Sequence, residues 1–99
     1  MTTRTSTSLK QAFKRFVELV KPIDDVRHVV AFDDEGEVDF FTYIKERDRV
    51  VMSAVYRAED HIVLEFPDLP VDFHVRYLEG RTLSDLVHPL PPLSFSRQE

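Results

Sequence analysis

Ninety-nine residues suffice for one domain with a single core, and a hydrophobic content of 42% that includes eight phenylalanines describes a packed chain rather than a disordered one. The absence of cysteine excludes disulfides, thiolate metal sites and thiol catalysis, and no apolar run approaches the roughly 18 residues of a membrane helix. A net charge of −5 disfavours nucleic acid as a partner, although residues 1–21 alone carry +4 and the remainder −9.

Residues 1–8 are polar and contain no apolar segment of a secretory signal, so they read as a disordered lead into a cytoplasmic protein. Leu9, Phe13, Phe16, Val17 and Val20 then recur at helical spacing, with Lys10, Lys14 and Lys21 on the outer face. Those lysines read as a solvated helix face. Ser8 followed by Gln11 fits a capping box, and Pro22 supplies the stop.

Val26 to Phe32 and Val38 to Ile44 form a predicted hairpin around the turn Asp33-Asp34-Glu35-Gly36. Alternation in the second strand sends Val38, Phe40, Thr42 and Ile44 to a core face. It sends Glu37, Asp39, Phe41 and Tyr43 to the opposite face, which begins acidic and ends aromatic.

Residues 48–66 admit two readings. As a helix, Val51, Val55, Ala58, Ile62 and Phe66 make one stripe, widened by Met52, Glu59 and Val63, with Asp48 as N-cap and Pro67 as terminator. As a hairpin, the chain would have to reverse over Ala58-Glu59-Asp60 without Gly, Asn or Pro. The missing turn chemistry favours the helix.

After Pro67-Asp68-Leu69-Pro70, the run Val71 to Leu78 alternates as a half-buried strand, with Asp72, His74, Arg76 and Leu78 on one side. Glu79-Gly80 closes it, and Leu83, Leu86 and Val87 allow one last helical turn. The rest of 81–99 reads as an extended, Pro-rich tail in which Pro89-Leu90-Pro91-Pro92 satisfies the common P-x-x-P pattern. The expected architecture is therefore a single α/β domain over 9–80 in the order α-β-β-α-β, a two-layer sandwich. A right-handed crossover makes the second and third strands parallel, and two helices cover one face of a small mixed sheet, leaving the other face bare.

The tripeptides Val38-Asp39-Phe40 and Val71-Asp72-Phe73 put an acid at the mouth of each parallel strand, with Glu37 two residues before Asp39. Adjacent strands lie about 4.8 Å apart, so three carboxylates on one face can share a divalent cation. The stretch Gly36-Glu37-Val38-Asp39-Phe40-Phe41, followed by a helix and Val71-Asp72-Phe73, resembles the minimal nucleotidyltransferase fold over residues 9–80. That resemblance implies magnesium held by Glu37, Asp39 and Asp72. The family's Gly-Ser phosphate-binding turn is absent, with Asp33-Asp34-Glu35-Gly36 in its place, and no Lys or Arg cluster adjoins it in sequence.

His28, His61, His74 and His88 lack metal-ligand spacing, and Ser53 has no nucleophile elbow around it. The acids read more simply as cross-strand partners of Arg27, His74 or Arg76. The leading functional expectation is a non-catalytic interaction domain without a cofactor that self-associates, most simply as a homodimer. Its expected interface is the bare sheet face with Phe41, Tyr43, His74, Arg76 and Leu78, joined by Leu93 and Phe95 reaching across to a partner. The alternative is a magnesium-dependent nucleotide-binding domain using the acidic cluster.

Overall fold

The computed structural model describes residues 2–34 and 36–97. The elements are α1 (Thr2–Val20), β1 (Val26–Asp34), β2 (Glu37–Ile44), α2 (Arg49–Glu65), β3 (Val71–Tyr77), α3 (Leu83–Leu86) and β4 (Leu93–Ser96). The expected α-β-β-α-β order stands; the helical turn expected from Leu83 is α3, and only strand β4 is new after it. Helix α1 starts at Thr2, so Ser8 lies within it and is not its cap, and the backbone expected to be disordered before residue 9 is helical from Thr2.

Residues 48–66 are a helix with its caps, as the turn chemistry required. The Asp48 carboxylate accepts from the amides of Val50 at 2.9 Å and Val51 at 3.2 Å. At the other end the Phe66 amide donates to Ile62 O, and Pro67 prevents a further turn.

The sheet runs β3-β2-β1-β4. The pairs β1–β2 and β1–β4 are antiparallel and β2–β3 is parallel. In the hairpin Asp34 faces Glu37, and Gly36 has φ +89°, a backbone conformation that favours glycine. Glu35, in the expected turn, lies outside the described residues.

Helices α1 and α2 cover the face formed by Val29, Ala31, Val38, Phe40, Ile44 and the inner residues of β3 and β4. Its centre is aromatic. Phe40 meets Phe13 edge-on at 5.7 Å and Phe73 edge-on at 5.6 Å, while Phe16 lies 5.7 Å from Phe40 and 5.5 Å from Phe73. Phe16 and Phe40 are fully buried.

The opposite face is not bare. Strands β3 and β4 lie at opposite edges, so residues 78–92 must cross the whole sheet to connect them. They cross on the side away from α1 and α2. The crossing opens with a tight turn in which Glu79 (φ +51°) and Gly80 (φ +84°) are both left-handed and the Arg81 amide donates to Leu78 O at 3.0 Å. Leu83 and Val87 then settle on Val30, Tyr43 and Leu78, making a second, smaller core flanked by Phe32 and Phe41. The α2 crossover and this one travel in opposite directions on opposite faces, so they share one hand.

Candidate functional site

The open face is built by in-register pairing of β2 with β3. Asp39 lies beside Asp72, Phe41 beside His74 and Tyr43 beside Arg76. Acid, aromatic and phenol on one strand thus meet acid, imidazole and guanidinium on the next. The His74 ring stacks on Phe41 with centroids 4.4 Å apart and planes 16° apart, and its Nε2 lies 2.9 Å from Asp39 Oδ1. The Arg76 guanidinium carbon stands 5.3 Å from the Phe41 centroid, and Phe32 meets Phe41 edge-on at 5.6 Å. Phe41 is the hub of the face.

This geometry redistributes the expected metal ligands. Asp39 and Asp72 are register neighbours, but Asp39 is engaged by His74, while Glu37 is exposed at the hairpin mouth opposite Asp34. Among the described residues no three histidine or carboxylate groups come together in a way that could hold a metal ion. The cross-strand pairing foreseen for Asp39 with His74 is present, at a half-buried site where the two side chains are 32% and 31% exposed.

Four of the expected interface residues lie elsewhere. Tyr43 and Leu78 are buried beneath Leu83 and Val87 because the chain's own crossing covers them. Leu93 and Phe95, expected on a free tail, sit in β4 beside Ala31 and Val29 and pack on the main core. Arg97 fastens that strand, with Nε donating to Val26 O at 2.9 Å and Nη2 to Lys21 O at 2.8 Å and Ile23 O at 3.1 Å. The expected tail is therefore part of the sheet. The alternation of Leu93-Ser94-Phe95-Ser96 was the available sign of it, obscured by brevity and by the prolines before it. On the open face Ser96 Oγ lies 2.9 Å from His28 Nδ1, and burial, followed by the charge of Arg27, lowers the His28 pKa.

Phe41, His74 and Arg76 remain at the surface beside a groove of about 660 Å³ between Phe32, Phe41 and the strap from Leu86 to Pro92. The adjoining free edge of β3 was not foreseen. The Leu78 amide donates to Ile44 O, so alternation turns the backbone groups of residues 72, 74 and 76 toward β2. Those of Val71, Phe73, Val75 and Tyr77 turn outward. Two outward carbonyls accept from arginines, Val75 O from Arg76 at 3.1 Å and Tyr77 O from Arg81 at 2.8 Å.

The inner side chains of β3, Val71, Phe73, Val75 and Tyr77, are each only partly buried. Met52 of α2 touches the Tyr77 hydroxyl at 3.7 Å, and Tyr56, Glu59 and Val63 continue that flank of the helix at helical spacing. Tyr56 and Val63 are 46% and 53% exposed. Burial, and secondarily the charge of Asp60, pushes the Glu59 carboxyl up to about 7, and its Oε2 is buried without a hydrogen-bond partner among the described residues. No helix among the described residues is long and apolar enough to cross a membrane. No family model, curated protein or solved structure matches this chain.

Proposed function

We propose that this chain is a non-catalytic interaction domain that associates with a second copy of itself. The observation that carries the reading is the edge at β3. Sheets blunt their edges with short strands, prolines, lysines or bulges, because an open row of amides and carbonyls recruits other strands. Strand β4 has such protection: it is four residues long and follows Pro91-Pro92. Strand β3 also follows a proline, Pro70, and arginines occupy its outward carbonyls at Val75 and Tyr77, but it is seven residues long, with neither proline nor lysine in it.

Its inner side chains are half covered, and the neighbouring flank of α2 exposes Tyr56 and Val63. A partner laid along this edge would finish both the backbone pairing and the apolar layer. A cytosolic setting is part of the reading, supported by a core that packs without cysteine. The acids carry less as a magnesium site, since His74 already occupies Asp39.

Sedimentation velocity at micromolar concentration tests the proposal. A species of twice the 11.6 kDa chain mass is expected, and a monomer throughout would overturn it.

A further inference from the structure

Resting on the self-association reading, we infer that two copies join by antiparallel pairing of β3 with β3, about a twofold axis at His74, with Asp72 of each copy against Arg76 of the other. His74 is the midpoint of Val71–Tyr77, so a twofold axis there is the arrangement in which all seven residues overlap. It sets Phe73 opposite Val75 and Val71 opposite Tyr77. All four are residues whose backbone groups point outward, so they form the hydrogen-bonded pairs of the new ladder.

Asp72 and Arg76 then fall opposite each other twice, at non-hydrogen-bonded positions where Cα atoms approach to about 4.5 Å and side chains lie closest. Both are exposed, and among the described residues Asp72 has no ion pair of its own. Within one strand they stand four residues apart, about 13 Å, too far to pair with each other. Moving the axis by one residue loses the match, because Asp72 or Arg76 then faces His74.

Arg76 also explains how the edge is held before pairing. In the single chain its guanidinium donates to Val75 O, filling an outward carbonyl. On pairing, it transfers to Asp72 of the second copy and releases Val75 O to accept from the Phe73 amide of that copy. At the end of the ladder Arg81 stays on one lone pair of Tyr77 O while the other accepts from the Val71 amide of the second copy. The two His74 rings meet at the axis without collision, since each is drawn back over its own Phe41 and tied to its own Asp39. On the helix side, the partly buried Phe73 and Val75 cover each other across the axis.

Charge reversal tests the register. Asp72→Arg and Arg76→Asp each place two like-charge pairs at the junction and are expected to weaken the dimer about tenfold. The double variant D72R/R76D restores opposite charges in the same register and is expected to recover the dimer. Amide exchange of the unaltered protein gives an independent readout, in which Phe73 and Val75 slow as concentration drives dimerisation.

A dimer whose Phe73 and Val75 amides stay unprotected, single variants that associate as well as the parent, or a folded double variant that stays monomeric would each overturn the register. In these cases the parent still dimerises and the broader reading stands. If the parent is monomeric, both fall together.

Discussion

The two faces of the sheet are buried by different means. On one, helices of 19 and 17 residues lie over a continuous core centred on Phe40. On the other, the connection 78–92 crosses as a strap whose helix has only four residues, planting Leu83 and Val87 on a patch of Val30, Tyr43 and Leu78. A long helix brings its own hydrogen bonds and a full apolar stripe, whereas a strap shields only where its few apolar side chains land. The helix face is therefore closed at its centre, and the strapped face keeps Phe41, His74 and Arg76 at the surface. The difference shows how a chain of this size divides its apolar residues: a continuous core under two helices on one face, and a small patch under a strap on the other.

Substituting at the centre of each face measures the difference. Phe40→Ala removes a fully buried ring that touches three others, and a loss of about 3–5 kcal/mol is expected in urea unfolding. Leu83→Ala strips the main anchor of the strap and is expected to cost about 2 kcal/mol, the low end for leucine, because the surrounding core is small. Amide exchange in the variant should accelerate over 78–92 while α1 and β1–β3 keep their protection. Equal losses from the two substitutions, with uniform exchange, would make the faces a single cooperative unit and break the comparison.

The smallest effect sharpens it at the border of the helix face. The folded-state pKa of Glu59, about 7, lies above its ordinary 4.5. Its stabilising contribution is thus fully present below about pH 4.5 and lost as the pH rises through about 7, where an unpartnered carboxylate must be held half-buried. Full linkage at this shift would be worth ~3 kcal/mol, and solvent access at the α2 flank reduces it to about 1 kcal/mol. Glu59→Gln is expected to be the more stable protein at pH 8 by that amount and to lose the advantage at pH 5, read from paired urea titrations. The difference between variant and parent isolates Glu59 from the opposing titration of His28, whose lowered pKa favours the fold as pH rises.

Much of the architecture was legible locally. The Asp48 cap, the Pro67 stop and the absence of turn residues at 58–60 decided α2 against a hairpin, and alternation in β2 and β3 assigned every residue to its face. The candidate site was legible only in part. Asp39, Phe41, His74 and Arg76 do share one face, but the helical turn read at Leu83–Val87 gave no sign that it folds back over Tyr43 and Leu78.

By itself, the sequence determined the five elements from α1 to β3, though not where α1 begins, and their inner faces, because helix caps, proline stops and two-residue alternation act over a few neighbouring residues. Only the tertiary structure decided that Leu93–Ser96 pairs with β1, that the strap covers Val30, Tyr43 and Leu78 and that β3 is left at the edge of the sheet. Strand order depends on which distant segments meet, and four alternating residues after two prolines carry too little local preference to announce their partner.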